Sequence, residues 1–145
     1  MSESDPNGKA PSEPGSKLDA GKPCVFQGVV EYFPRAVEAV AAVSTFGAQK
    51  YVWKGWETVP DGIARYSDAM MRHILKEGKG ETTDPDSKML HAAHTAWGAL
   101  ARLELMLRDE ESMKEWADSP EGQELIEQIN GSFYLQPGAL SGRPE

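Results

Sequence analysis

The side chains best suited to chemistry are three histidines and several acids in the middle of the chain. His91 and His94 are three residues apart, so on a helix they share one face. Carboxylate oxygens that converge between helices suit Mg²⁺ or Mn²⁺, and imidazole nitrogens favour Mn²⁺ of the two. The predicted cation ligands are Glu38, Asp68, His73, Glu81, Asp84 and His91. We expect Glu81 and Asp84, at a turn, to be the catalytic acids as well.

Each of these residues also has an interpretation without a metal. The histidines can be hydrogen-bonded core residues, and Glu38 can be partly exposed beside an apolar stripe. Asp68 can pair with Arg72 four residues later on the same helix. Asp84 is predicted to be an N-cap in any case, and Glu81 can be a solvated loop acid.

A cluster of basic and aromatic residues follows the first predicted helix. Residues 47–56 contain two lysines, one tyrosine and two tryptophans, and the tryptophans fall in a segment rich in Gly and Pro. Lysine can contact phosphate and tryptophan can stack on a purine, although core packing is the simpler role for one tryptophan. The predicted substrate-binding residues are Lys22, Lys50, Tyr51, Trp56 and Arg72.

Helical periodicity predicts the elements that position these residues. A first helix begins near Pro34 and extends to about residue 50, and a second covers residues 63–77. A long third helix is predicted from residue 85 to about 114, with Asp84 as N-cap, and a short last helix begins at Ser119-Pro120 and ends at Asn130-Gly131. Residues 25–33 are expected to be extended or a helical turn. The predicted inward-facing residues of the second and third helices are Ile63, Tyr66, Met70, Ile74, Leu75, Leu90, Ala93, Trp97, Leu100, Leu103 and Leu107.

Length and composition favour one all-α helical bundle that is not a general nucleic-acid binder. The chain has 145 residues, 39% of them hydrophobic, and a net charge of −8. We expect a disordered tail at residues 1–18, a catalytic domain at 19–118 and a short helix and tail at 119–145. The single cysteine, Cys24, and the absence of a signal peptide or apolar span predict a soluble cytoplasmic protein without membrane contact.

Several short motifs occur together between residues 19 and 108. They are Asp19-Ala-Gly-Lys-Pro23, Pro34-Arg-Ala-Val-Glu38, Phe46-Gly-Ala-Gln-Lys-Tyr51, Trp56, Arg65-Tyr-Ser-Asp-Ala69, Arg72-His73, Gly80-Glu81, Asp84 and His91. Together these motifs resemble the N-terminal domain family of phage dATP/dGTP diphosphohydrolases, within the broader MazG-like all-α nucleotide pyrophosphohydrolases. The wider MazG-like pattern has Glu-x-x-Glu on one helix and Glu-x-x-Asp on the next. Here the core has Glu81-x-x-Asp84 at a turn, and His91-x-x-His94 takes the place of the acidic pair.

The resemblance implies hydrolysis of dGTP or dATP between the α and β phosphates, with Mg²⁺ or Mn²⁺ lowering the pKa of the attacking water. It also implies a homo-oligomer, a dimer or tetramer, and a place in a phage pathway that replaces adenine by 2-aminoadenine, in the host cytoplasm if phage-encoded. Two alternatives stay open. One is a histidine/aspartate-type phosphohydrolase, although the chain has no adjacent His-Asp pair. The other is a nucleotide-binding module without turnover.

Overall fold

The computed structural model describes residues 4–128, which form helices and loops without a β-strand in that range. The all-α class predicted from the sequence is confirmed. A π-helical segment covers Phe26–Glu31 and a 3₁₀ turn covers Gly55–Thr58. The α-helices are α1 (Pro34–Lys50), α2 (Gly62–Gly78), α3 (His91–Arg108), α4 (Glu110–Asp118) and α5 (Pro120–Gln128).

Residues 26–113 form one compact unit, in which α2 and α3 pack closely as an antiparallel pair. Gly62 at the start of α2 contacts Leu105 near the end of α3, and Met70 contacts Gly98 at the middle of both helices. A Cβ atom at position 98 would lie 3.2 Å from the Met70 Cβ, so glycine permits the close approach. Helix α1 packs against α3, where Trp97 Nε1 donates to Ser44 Oγ at 2.8 Å.

The first two helices begin and end close to where their sequence patterns predict. Pro34 occupies the first turn of α1, which suits its fixed φ and missing N–H. Asp61, in the left-handed region at φ 54°, precedes α2, and Gly78 is its last residue. Residues 25–33 were expected to be either extended or a helical turn, and residues 26–31 are helical.

The prediction of a third helix from residue 85 to about 114 is wrong at both ends. Asp84 begins only a single turn, in which Lys88 N donates to Asp84 O, and Lys88 then takes a left-handed φ of 61°. An isolated bridge between Thr83 and Leu90 closes the loop, so α3 starts at His91 with Leu90 as N-cap. At the other end, Asp109 separates α3 from α4.

The core is smaller than the apolar periodicity predicts. Ala93 is buried, and Tyr66, Met70, Trp97 and Leu107 are half-buried as expected. The other predicted inward-facing residues are exposed, because the two helices meet through small residues and histidines and leave the larger apolar side chains outside. These exposed residues are Ile63, Ile74, Leu75, Leu90, Leu100 and Leu103.

Among the described residues, the second compact unit comprises residues 4–25 together with residues 114–128. In its first segment the Asp5 carboxylate accepts the backbone N–H groups of Asn7 and Lys17 at 2.7 and 2.6 Å, which ties together turns in the segment predicted to be disordered. Ser119 caps α5 by accepting the Gly122 N–H at 3.1 Å, as the Ser-Pro start predicts. The predicted helix end at Asn130-Gly131 and the tail at 132–145 lie outside the described residues, and the domain boundaries stay predictions.

None of the helices in residues 4–128 combines the length and apolar character that crossing a bilayer requires.

Candidate functional site

A cavity of about 1230 Å³ lies within the unit of residues 26–113. The C-terminal half of α1, the loop at residues 51–59 and one face of α2 form its walls, and residues of the 79–90 loop and α3 complete them. Its lining includes His73, His94 and Asp84 as well as aromatic side chains of α2, α3 and the 51–59 loop. The cavity therefore joins a region of metal-ligand chemistry to an aromatic wall.

Three side chains from three elements come together here, and two of them, His73 and Asp84, also line the cavity. His73 of α2, Asp84 of the 79–90 loop and His91 of α3 each offer a ligand atom, and these atoms all lie within 4.8 Å of one another. The Nδ1 atoms of His73 and His91 are 2.7 Å apart, and His91 is completely buried. Among the described residues, this is the set that could hold a metal ion, and we call it the His–Asp centre.

Glu81 contacts the His–Asp centre through His91 rather than joining it. Its Oε1 lies 2.9 Å from His91 Nε2, which leaves Nδ1 as the histidine atom that faces His73. A carboxylate on the outer nitrogen is the usual device for fixing the tautomer of a metal-binding histidine. The hydrogen bond from His91 holds the pKa of Glu81 below its usual value, and Lys76 contributes at 3.5 Å.

Asp84 is held as a carboxylate by the turn that it begins. Its Oδ2 accepts the Ser87 N–H at 2.9 Å, and its Oδ1 lies 3.8 Å from Lys76 Nζ. Burial alone would raise the pKa of Asp84, but the hydrogen bonds from Ser87 outweigh burial, so the pKa lies below its usual value. Asp84 thus combines the predicted capping role, on a turn instead of α3, with membership of the His–Asp centre.

His94 extends the site, and the sequence analysis did not assign it a role. Its ring stacks on His73 with centroids 4.5 Å apart, and its Nε2 lies 2.7 Å from Ser87 Oγ. Burial lowers the pKa of both His73 and His94, which favours neutral rings with available lone pairs at pH 7. The spacing of three from His91 was the signal for His94, whereas nothing local pointed to Ser87 or Lys76.

Two of the predicted phosphate contacts, Lys50 and Arg72, line the cavity. Lys50 Nζ lies 2.9 Å from Asp86 Oδ2, and both side chains are at least half exposed. Their hydrogen bond raises the pKa of Lys50. Since an exposed ion pair is weak, Asp86 can be replaced by a stronger anion at little cost.

The aromatic residues of the cavity divide into a packed group and an exposed group. Trp56 makes edge-to-face contacts with Tyr66 and Trp97, at centroid distances of 6.2 and 5.8 Å, which is the core packing that the sequence analysis left open. Tyr51 and Trp53 are 77% and 66% exposed. These two rings are the ones whose faces are accessible to a ligand.

The remaining predicted site residues lie outside the His–Asp centre. Asp68 lines the cavity without belonging to the centre, and Glu38 is exposed on α1 and is absent from the cavity lining. Lys22 belongs to the other compact unit. The structure therefore brings together three of the six predicted cation ligands and places Glu81 one hydrogen bond away.

Comparison with known proteins gives two matches. The family described as dATP/dGTP diphosphohydrolase, N-terminal, matches residues 12–115. A curated relative, the dATP/dGTP diphosphohydrolase of Salmonella phage PMBT28, is 36% identical over 86 residues, which is 59% of this chain and 28% of the relative. The chain thus spans less than a third of that relative's length, and no solved structure matches it.

Proposed function

The chain belongs to the dATP/dGTP diphosphohydrolase N-terminal family, and from this we propose that it hydrolyses purine deoxynucleoside triphosphates to the monophosphate and pyrophosphate. The observation that carries the proposal is the cavity that joins the His–Asp centre to exposed aromatic rings. A nucleoside triphosphate has the matching polarity, with anionic phosphates at one end and a flat base at the other. The name of the phage relative supports the choice of substrate.

The donor set fits a divalent cation. Two imidazole nitrogens and one carboxylate form a mixed set, which favours Mn²⁺ over Mg²⁺ because Mg²⁺ prefers oxygen ligands. The two Nδ1 atoms are hydrogen-bonded at 2.7 Å, so one of them carries a proton that a cation bound there would displace. A cation there would supply Lewis-acid polarisation of a phosphate oxygen and a water of lowered pKa.

The chain's own residues would hold and orient the substrate. Lys50 would exchange Asp86 for a phosphate oxygen, and Arg72 would neutralise further charge along the same wall. Glu81 would keep His91 in its tautomer. Tyr51 or Trp53 would stack on the base, while Trp56, packed edge-on against Trp97, would form part of the cavity wall.

A binding module without turnover is the second candidate. It is favoured by the short extent of the match to the phage relative. The matched segment is only 28% of that protein, and catalytic groups can lie in the remainder. The His–Asp centre and cavity serve this candidate equally well.

We also propose that the chain forms a homo-oligomer and acts in a pathway of purine deoxynucleotides. Leu75, Leu100, Leu103 and Met106 each expose 45% or more of their surface on α2 and α3, which supports a homo-oligomer that covers them. A role in supplying dGMP and draining dATP where 2-aminoadenine replaces adenine is also proposed, on the resemblance of the sequence motifs to the phage family.

Product analysis tests the proposal. The purified chain is incubated with each dNTP and NTP in Mg²⁺ or Mn²⁺, and the products are separated by chromatography. We expect dGMP or dAMP and pyrophosphate in equal amounts. Release of triphosphate would instead indicate the histidine/aspartate-type reaction, and tight dGTP binding without products would indicate the binding module.

A further inference from the structure

An ion pair between distant parts of the chain anchors the turn that carries Trp56, one of the rings that line the cavity. Arg108, the last residue of α3, directs Nη1 to Glu57 Oε2 at 2.9 Å and Nη2 to Glu57 Oε1 at 3.2 Å. Glu57 lies in the 3₁₀ turn of the 51–59 loop. The side chains of Arg108 and Glu57 are only 31% and 17% exposed, so this ion pair is partly buried. Its two parallel hydrogen bonds fix the orientation of both side chains.

The same guanidinium packs over the neighbouring tryptophan. The Arg108 Cζ lies 5.7 Å from the centre of the Trp56 ring, within the range of a cation–π contact. Trp56 in turn packs edge-on against Tyr66 and Trp97, and all three rings line the cavity. Arg108, which is not a lining residue, therefore contacts a ring that lines the cavity.

Side chains link the loop at residues 51–59 to α2 and α3, and Tyr66 Oη also donates to Trp56 O at 3.4 Å. The regular backbone hydrogen bonds of the loop are short-range, from Gly55 N to Val52 O, Glu57 N to Lys54 O and Val59 N to Trp56 O. Lys54 takes a left-handed φ of 62°, which a non-glycine residue adopts only at a cost that its surroundings offset. Side-chain contacts such as the Arg108 pair must therefore supply much of the long-range anchoring.

We propose that Arg108 and Glu57 are positioning residues that hold the aromatic wall in place for the ligand's base. For the identity of the ligand this inference rests on the proposed function. A wall that is already ordered loses little conformational entropy when the ligand binds, so the ion pair contributes to the affinity for the ligand. Glu57 lines the cavity, but neither Glu57 nor Arg108 belongs to the His–Asp centre, so we expect the pair to act on KM and to leave kcat nearly unchanged.

The chain offers a matched control in Glu104. It also contacts Arg108, with its Oε1 2.7 Å from Nη2 and 2.8 Å from Nε, but it lies four residues earlier on α3 itself. Glu104→Gln therefore weakens a contact to Arg108 without touching the loop. Glu57→Gln has nearly the same shape as the native residue and weakens the contact that spans the loop and α3.

Hydrogen exchange on the full chain tests the pair independently of activity. In Glu57→Gln we expect the amides of Gly55, Glu57 and Val59 to exchange faster by about tenfold, and those within α2 and α3 to be unchanged. Arg108→Lys should give the same result, because lysine keeps the charge but loses the two-bond fork. Glu104→Gln should match the wild type. Unchanged exchange at 55–59 in both loop-directed variants would overturn the positioning role.

Nucleotide kinetics then test the link to the ligand. For dGTP we expect KM to rise by about fivefold to tenfold in Glu57→Gln with kcat within twofold of the wild type, and no change in Glu104→Gln. Faster exchange with an unaltered KM would overturn the link between wall and ligand. If the wild type turns over no nucleotide, the proposed function fails, while the exchange result still decides whether the pair positions the loop.

Discussion

At the scale of single residues, Asp84 has two separable tasks. Its Oδ2 accepts the Ser87 N–H and stabilises the turn, and its carboxylate also belongs to the His–Asp centre. The first task needs only an acceptor oxygen, whereas the second needs negative charge. His91 is similarly divided, with one nitrogen bonded to Glu81 and the other facing His73.

Asp84→Asn separates these tasks. The amide oxygen can still accept the Ser87 N–H, so we expect the free energy of unfolding to change by less than about 1 kcal/mol. The affinity for Mn²⁺ should fall by at least about tenfold, since a charged ligand is lost. Titration calorimetry with Mn²⁺ measures this, and Asp86→Asn is the control because Asp86 pairs with Lys50 outside the centre. Equal Mn²⁺ affinity in wild type and Asp84→Asn would exclude Asp84 as a ligand.

At the scale of helices, the distance between α2 and α3 determines whether the centre can form. His73 lies on one helix and His91 on the other, so their 2.7 Å contact requires close packing of the pair. Gly98 permits that packing against Met70. A larger residue at this position would push apart the two elements that carry the centre.

Gly98→Ala should therefore destabilise the fold. The added Cβ would lie 3.2 Å from the Met70 Cβ, and overpacking of this kind costs about 1–3 kcal/mol. Gly47→Ala in α1 is the control, because no atom lies within 4 Å of its added Cβ and alanine is favoured in a helix by about 0.5–1 kcal/mol. Urea unfolding measures both variants. If Gly98→Ala is as stable as Gly47→Ala, the contact with Met70 does not require glycine at position 98.

The helices also show how far the sequence could predict this fold. Pro34, the apolar periodicity and Gly78 are local signals, and α1 and α2 begin and end close to where these signals indicate. Asp84-Pro85 begins a helix or an isolated turn equally well, and the choice depends on the left-handed Lys88 and the bridge from Thr83 to Leu90. Those features depend on residues that come together only in the folded chain.

The candidate site was predictable to a similar extent. Residue type and spacing pointed to His73, Asp84 and His91, which do converge. They also pointed to Glu38, although periodicity cannot tell which face of α1 another element covers. The relation of Glu81 to His91, and of Arg108 to Glu57, depends on contacts between separate elements that no local pattern encodes.

At the scale of the whole molecule, burial of neutral histidines links stability to pH. The pKa values of His73 and His94 are lowered by burial from an ordinary value of 6.5. Below pH 6.5 the unfolded chain therefore binds more protons than the folded chain, and folding becomes less favourable as the pH falls. The lowered pKa values of Glu81 and Asp84 act in the same direction at lower pH, below the ordinary values of 4.5 and 3.8.

We accordingly expect metal-free protein in chelator to lose stability between pH 7.5 and 5.5. Urea unfolding at several pH values measures the slope, which should be smaller in a His73→Asn, His94→Gln double variant because these two titrating groups are gone. Stability that stays constant or increases on acidification would contradict the burial of neutral rings. Glu38→Gln serves as a control, since Glu38 is exposed and lies outside the centre.

We propose that the His–Asp centre and its cavity act on a purine deoxynucleoside triphosphate. Chromatography of dGTP incubated with Mn²⁺ and either the wild-type chain or Asp84→Asn tests this first. We expect equal amounts of dGMP and pyrophosphate from the wild type and a large loss of both from the variant. No dGMP from the wild type, or undiminished dGMP from Asp84→Asn, would contradict it.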